Sequence, residues 1–178
     1  LTLYALAKRD QIAPGTDQVG TVQAISAETG EIVWETGGLT MNVIPSPVYE
    51  DGLAILMSGY RGNSLKAIDV AQAAGDITGT DAIVWTYERD TPYVPSPLLY
   101  DDALYVIKSN DGILSVFDPL TGTPHYQRQR LQGVPNVFAS PVGVAGRVYI
   151  PGRDGTTLVI RHGDSFEVLA SNTLDDGF

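Results

Sequence analysis

One phrase recurs three times along the chain, and no other feature narrows the possible folds as far. Asn42-Val43-Ile44-Pro45-Ser46-Pro47-Val48-Tyr49 returns as Pro92-Tyr93-Val94-Pro95-Ser96-Pro97-Leu98-Leu99, and again as Asn136-Val137-Phe138-Ala139-Ser140-Pro141-Val142. The Ser-Pro pairs are spaced by 50 and then 44 residues. Self-similarity at roughly 40–50 residues marks a propeller or a solenoid. The prolines agree with that reading, because proline has no N–H for a sheet ladder and is confined to edge strands, strand starts and bulges. Pro45 and Pro47 are two apart, so on an extended strand both missing donors turn to one edge. Pro95 and Pro97 repeat the arrangement. A strand that pairs on one side only fits the innermost position of a propeller blade, its free edge toward the central channel.

Each phrase is followed by the same signals. A turn comes first: Glu50-Asp51-Gly52, Asp101-Asp102-Ala103 and Val144-Ala145-Gly146-Arg147. A short apolar strand follows: Leu53 to Met57, Leu104 to Ile107 and Val148 to Ile150. Then comes a polar hairpin: Tyr60-Arg61-Gly62-Asn63, Ser109-Asn110-Asp111-Gly112 and Gly152-Arg153-Asp154-Gly155. Asp-Gly between apolar runs is a strong hairpin signal. A third strand leads through a Thr-Gly turn to a fourth, most clearly in Val22 to Trp34 with Thr29-Gly30 at the bend. Four short strands per repeat, joined by tight turns, read as one antiparallel blade. No helical periodicity is evident, and Val70 to Ala74, inserted between two strands of one repeat, is expected to form a loop or a single turn.

The fold class is therefore all-β: a propeller of four-stranded antiparallel blades, with about four blades at 1–40, 41–90, 91–134 and 135–178. The first lacks its inner strand, since Leu1 to Ala7 reads as a second strand. The whole is expected to be a segment of an eight-bladed propeller. With 43% apolar and 18% charged residues the chain is globular. A net charge of −10 opposes nucleic-acid binding, which needs a basic face. The absence of cysteine removes disulfides and thiolate metal sites. The longest unbroken apolar run, Leu53 to Met57, is too short to span a bilayer.

Ala24-Ile25 with Thr29-Gly30 and Trp34 resembles the tryptophan-docking repeat of the PQQ-like, or quinoprotein, propellers. Ala67-Ile68 with Trp85, and Val116-Phe117 with Thr121-Gly122 and Tyr126, resemble it less fully, and in the last repeat Leu169 stands where the tryptophan is expected. The family holds both quinone-dependent alcohol and sugar dehydrogenases and non-catalytic propellers that scaffold outer-membrane protein assembly. The resemblance implies a bacterial, exported protein, periplasmic or extracellular, in which Trp34, Trp85 and Tyr126 lock one blade onto the next. In its enzymes it further implies a pyrroloquinoline quinone clamped above a tryptophan floor. A disulfide lid, a calcium ion and an aspartate base complete that site.

Little of that chemistry is assembled here. The disulfide is impossible, and calcium wants about six to eight oxygens, whereas Asp101-Asp102 and Asp175-Asp176 are isolated pairs in turns. His125 and His162, the only histidines, read as surface residues. No catalytic residue and no metal ligand is identified, and no cofactor is expected; a quinone with calcium belongs only to the enzyme reading. One constellation stands out. In a meander, the hairpin between second and third strands emerges on the same face as the loop entering the next blade. That places Arg61, Asn110 and Arg153 at equivalent positions, with Lys108 close by, beside Asn42 and Ile44, Tyr93 and Val94, and Asn136 and Phe138. Basic and aromatic side chains around a channel mouth suit an anionic or aromatic ligand or a peptide. The leading function is a non-catalytic scaffold binding a protein or ligand on this loop face, or self-associating through open blade edges. Part of a quinoprotein dehydrogenase and a carbohydrate- or polymer-binding propeller are the alternatives.

Overall fold

The computed structural model describes residues 3–8 and 20–175. Asp176 of the second acidic pair, and the side chains of the first strand, lie outside what it describes. In chain order the strands are β1 (Leu3–Lys8), β2 (Gly20–Ser26), β3 (Ile32–Leu39), β4 (Val48–Glu50), β5 (Leu53–Ser58), β6 (Ser64–Asp69), β7 (Gly75–Asp76) and β8 (Ile83–Tyr87). They continue as β9 (Leu98–Tyr100), β10 (Ala103–Ile107), β11 (Ile113–Phe117), β12 (Pro124–Arg130), β13 (Val142–Val144), β14 (Arg147–Pro151), β15 (Thr156–Arg161) and β16 (Val168–Thr173). They form four sheets of four: β1-β2-β3-β7, β4-β5-β6-β8, β9-β10-β11-β12 and β13-β14-β15-β16. The last three are simple antiparallel meanders, as the repeat requires. There is no helix among the described residues.

The prolines do their work one step earlier than the sequence reading places them. The innermost strands begin at Val48 and Leu98, immediately after Pro47 and Pro97. The Pro-Ser-Pro stretch is thus an irregular lead-in, where a missing N–H disturbs no ladder. Its serines explain why the phrase repeats. Ser46 N donates to Ser96 Oγ at 2.9 Å, and Ser96 N donates to Ser140 Oγ at 3.0 Å. Successive blades are tied near the channel by the same residue of each repeat.

Central strands run apolar without alternation because both of their faces are covered. Leu104 and Val106 of β10 face the second sheet, beside Ile55, Met57, Leu65 and Ala67. Tyr105 and Ile107 face the fourth, beside Val148, Ile150, Leu158 and Ile160. With side chains alternating at period two, a strand sandwiched between two sheets must be apolar at every position.

Trp34 is 2% exposed and packs between the first two blades, against Leu56 and Ile68 of the second and Ala73 and Ile77 of the insertion. The insertion is more than the loop or turn that its sequence promised. After a turn at 70–72, Gly75 and Asp76 form β7, which pairs parallel to β3 of the preceding blade, and Ile77 N donates to Glu35 O at 2.9 Å. Ala73 and Ile77 supply the apolar contacts that hold it there.

Trp85, on β8, lies against the β11–β12 turn of the third blade. Its Nε1 donates to Pro119 O at 3.1 Å, and a Cβ on Gly122 would stand 2.7 Å from two of its ring carbons. Tyr126, on β12, meets Phe166 of the fourth blade edge-on, with ring centroids 6.1 Å apart. Sheet register pairs Trp34 with Ala24, Trp85 with Ala67 and Tyr126 with Val116; the residue at the same register in the fourth blade is Ala170, opposite Val159. The sequence reading chose Leu169, but the connection from β15 to β16 is one residue longer than in the first and third blades, ten residues from Ile160 to Ala170 against nine from Ile25 to Trp34 and from Phe117 to Tyr126.

Candidate binding site on the loop face

The loop face is built from hairpins that follow β5, β10 and β14, and from the segments that enter the next inner strands. Backbone bonds weld the two sets together. Ser109 N donates to Thr91 O at 2.9 Å, Val137 N to Asn110 O at 3.1 Å, and Arg153 N to Asn136 O at 2.9 Å. Thr91 is fully buried and anchors its segment twice more: its hydroxyl donates to Ser58 O at 2.6 Å, and its N–H to Asn63 Oδ1 at 3.0 Å. At Gly112 the Val134 carbonyl passes so close that any Cβ would collide with it, so glycine there is a packing requirement.

On this frame sit two aromatic–guanidinium stacks. Tyr60 and Tyr93 are stacked at 4.7 Å with planes 26° apart, and the Arg61 guanidinium lies 5.4 Å from the Tyr60 centroid. Arg61 is exposed and holds a left-handed φ of 53°, which swings its side chain back over the ring. Two blades on, the Arg153 guanidinium lies 5.3 Å from the Phe138 centroid. A guanidinium held over a ring keeps its N–H donors in its own plane.

Lys108 is placed differently. Its Nζ lies 2.9 Å from Asp111 Oδ2 and 4.0 Å from Asp90 Oδ1, and Arg128 Nη1 lies 2.9 Å from Asp90 Oδ2. Asp90, with its side chain 7% exposed, holds Arg128 and, at the longer distance, Lys108. Asn110 contributes its backbone carbonyl to the weld, while its Oδ1 is buried without a partner among the described residues. Asn136 contributes a carbonyl as well and is exposed. The structure therefore brings Arg61 to Tyr93 through Tyr60, and Arg153 to Phe138 and Asn136. It turns Lys108 toward carboxylates. Sequence inspection did not reveal Asp90 or Arg128; a buried aspartate and an arginine with φ of 56° inside a strand leave no mark on a repeat pattern.

The histidines are half-buried, with side chains 22% and 17% exposed, at contacts between blades. His125 Nδ1 lies 3.1 Å from Asp164 Oδ1, across from the third blade to the fourth. His162 crosses the other way: its Nδ1 is 2.8 Å from Tyr105 Oη and its Nε2 is 3.4 Å from Asp102 Oδ1. Both stand at the end opposite the loop face, and the described residues hold no cluster of three or more potential metal ligands.

Four-stranded antiparallel blades, stacked through aromatic residues on their outer strands, define the class as a β-propeller of PQQ-like repeats. Within it, the family model described as outer membrane protein assembly factor BamB matches residues 5–173, and the chain belongs to that family. Among solved structures, a europium-containing methanol dehydrogenase superposes with a TM-score of 0.55 at 15% identity, over 70% of this chain and 23% of that one. The computationally designed proteins Ika8 and Ika4 give 0.56 and 0.53, both at 15% identity. These cover 88% and 82% of this chain, and 46% and 84% of theirs. BamB from Moraxella catarrhalis aligns over 91% of this chain and 62% of its own at 14% identity, with a TM-score of 0.41. No curated protein matches the sequence. The chain thus spans under a quarter of the methanol dehydrogenase and less than two thirds of that BamB, and at these identities the likeness is one of fold.

Proposed function

We propose that this chain is a non-catalytic propeller scaffold that holds a protein partner on its loop face. The observation that carries the reading is the pair of arginine-capped aromatic stacks, Tyr93-Tyr60-Arg61 and Phe138-Arg153, with Arg61, Phe138 and Arg153 exposed and the two tyrosines half-buried. Aromatic residues and arginine dominate binding hot spots because they present large rigid surfaces and bidentate donors at little entropic loss. A carboxylate-bearing segment crossing the mouth meets both stacks. Membership of the BamB family supports a scaffold role on the outward side of the bacterial inner membrane, and the reading calls for no cofactor. The four blades are taken as part of a larger, eight-bladed propeller.

The test is a peptide-display selection against the chain, followed by titration of the enriched peptides. Acidic peptides are expected to be enriched, and the double substitution Arg61→Ala with Arg153→Ala is expected to weaken them by at least about tenfold, the equivalent of about 1.4 kcal/mol. Unchanged affinity, or enrichment with no acidic bias, refutes the assignment.

A further inference from the structure

The outer rim of the first blade differs from the others. Its fourth strand, β3, carries β7 beyond it, whereas β8, β12 and β16 end their sheets among the described residues. β7 lies in the insertion of the second blade, whose base is closed by Asp69 N donating to Ala82 O at 2.8 Å. The third blade closes the same connection with Asp118 N to Thr123 O at 2.8 Å, over residues 119–122 alone. Residues 70–81 are thus a strap hung from an ordinary turn base, and lifting it away leaves the β6–β8 ladder intact. Between 71 and 81 only Ala73 and Ile77 are buried. The strap meets β3 through a parallel register of two residues, through Ile77 N to Glu35 O at 2.9 Å, and through Gly37 N to Thr78 Oγ1 at 2.9 Å. Two features make it an imperfect occupant of that edge. The register sets Asp76 opposite Glu35, and like charges on adjacent strands oppose pairing. Glu35 accepts from Gln23 Nε2 at 2.8 Å and is in no ion pair among the described residues. Trp34, which Ala73 and Ile77 help to bury, keeps an indole N–H with no acceptor among the described residues.

We infer that the outer edge of β3 is a strand-addition site for an extended segment of another protein, and that the strap is an intramolecular occupant which such a segment displaces. The strap shows what the edge accepts: a small residue at the position of Ala73, a branched aliphatic at that of Ile77, and main-chain groups in parallel register. Charge complementarity defines the rest. Glu35 lies opposite the residue that precedes the aliphatic, Glu31 precedes β3, and Asp69 and Asp81 stand at the base of the strap. The segment that fits therefore carries lysine or arginine directly before its isoleucine or valine. In strand addition the main-chain bonds give affinity and the side chains give specificity. This rim is separate from the arginine-capped stacks of the loop face and opposite to them in charge preference. Tethering gives the strap an effective concentration on the order of millimolar, so a partner segment gains access in proportion as the strap is loosened.

The probes are two labelled synthetic peptides that copy residues 71–80, one unaltered and one with Asp76→Lys, followed by fluorescence anisotropy. Each is titrated against the unsubstituted chain and against two chains with the strap released. One carries Ile77→Ser, which removes the buried anchor; in the other, a copy of residues 119–122 replaces residues 70–81. The released chains are expected to bind the Asp76→Lys peptide at least about tenfold more tightly than the unsubstituted chain does. They should also prefer it to the unaltered copy by about two- to fivefold, the range of a cross-strand charge pair, and adding Glu35→Gln should abolish that preference. Equal affinity of released and unsubstituted chains overturns the proposal. So does the absence of a preference for the Asp76→Lys peptide, a preference that survives Glu35→Gln, or no binding to a released chain that keeps its far-ultraviolet circular dichroism. Loss of fold in both released chains overturns it as well, because the strap is then part of the blade core and no displaceable occupant of its edge.

Discussion

Adding one methyl group to Gly122 separates backbone strain from blade-to-blade contact, because the chain carries its own control at Gly30. Both glycines close the same turn, at φ 70° and 73°, so Gly→Ala puts an L-residue into left-handed backbone at either site, at about 1–2 kcal/mol. At Gly30 the new methyl meets nothing among the described residues; at Gly122 it stands 2.7 Å from two carbons of Trp85. The indole must move, and it gives up its bond to Pro119 O as it does. Overpacking of this kind adds about 1–3 kcal/mol, so Gly122→Ala should destabilise by about 2–5 kcal/mol against about 1–2 for Gly30→Ala. In a Trp85→Ala background the collision vanishes and Gly122→Ala should fall to the Gly30→Ala value. That leaves a coupling of about 1–3 kcal/mol, well above the roughly 0.3–0.5 kcal/mol within which independent sites add. Urea unfolding followed by far-ultraviolet circular dichroism measures all four variants without relying on the tryptophan that is removed. Equal losses for Gly122→Ala and Gly30→Ala, or coupling within the additivity error, refute the claim that Trp85 is seated on this turn.

Two further outcomes are expected. Ser96→Ala and Ser140→Ala each remove an acceptor that ties one blade to the next; each should lower stability by about 0.5–1.5 kcal/mol in the same urea assay, and no loss from either means the ties are incidental. Burial pushes the Tyr105 hydroxyl up to about 12, above an ordinary value near 10. Between those values the unfolded chain releases this proton while the native one keeps it, so the stability it contributes is present below about pH 10 and is lost as pH rises toward 12. Urea midpoints should therefore fall with rising pH over that window more steeply than in Tyr105→Phe, and parallel curves refute it.

The architecture was legible because a propeller states its period in sequence. Ser46, Ser96 and Ser140 recur at the blade repeat, and apolar runs such as Leu53 to Met57 mark strands covered on both faces. What the pattern could not show are the places where blades borrow from one another. Nothing local distinguishes Gly75-Asp76 from an ordinary loop, because the pairing that makes it a strand is with β3, about forty residues away. His162 read as a surface turn residue because its neighbours in sequence are polar; its neighbours in space, Tyr105 and Asp102, come from another blade. One extra residue in the β15–β16 connection sufficed to put Ala170 where Leu169 was expected. At the loop face, the sequence placed Arg61, Tyr93, Arg153 and Phe138 on the same side, but not which ring each guanidinium covers, nor that Asp111 and Asp90 take Lys108.

The same borrowing bears on why this fold can serve as a rigid platform. Apolar burial between sheets is strong but without direction, so on its own it permits one blade to rock or slide against the next. Directional contacts at two distances from the channel remove that freedom. Between the second and third blades the inner contact is Ser46 to Ser96 and the outer one is Trp85 to Pro119. Between the third and fourth they are Ser96 to Ser140 inside and His125 to Asp164 outside, with the Tyr100 hydroxyl accepting from Gly146 N at 2.8 Å. The first seam uses a lysine: Lys66 Nζ donates to Gly37 O at 2.7 Å. Burial lowers the pKa of that ammonium, and the nearby Glu88 carboxylate opposes the shift. Two fixings at different radii define an angle where a single one defines only a hinge. The stacks of Tyr60 with Tyr93 and of Phe138 with Arg153 join a hairpin of one blade to the segment before an inner strand, so the geometry of the loop face depends on the angles between blades. Loosening either the inner or the outer contact of one seam should therefore disturb the loop face before it unfolds the chain.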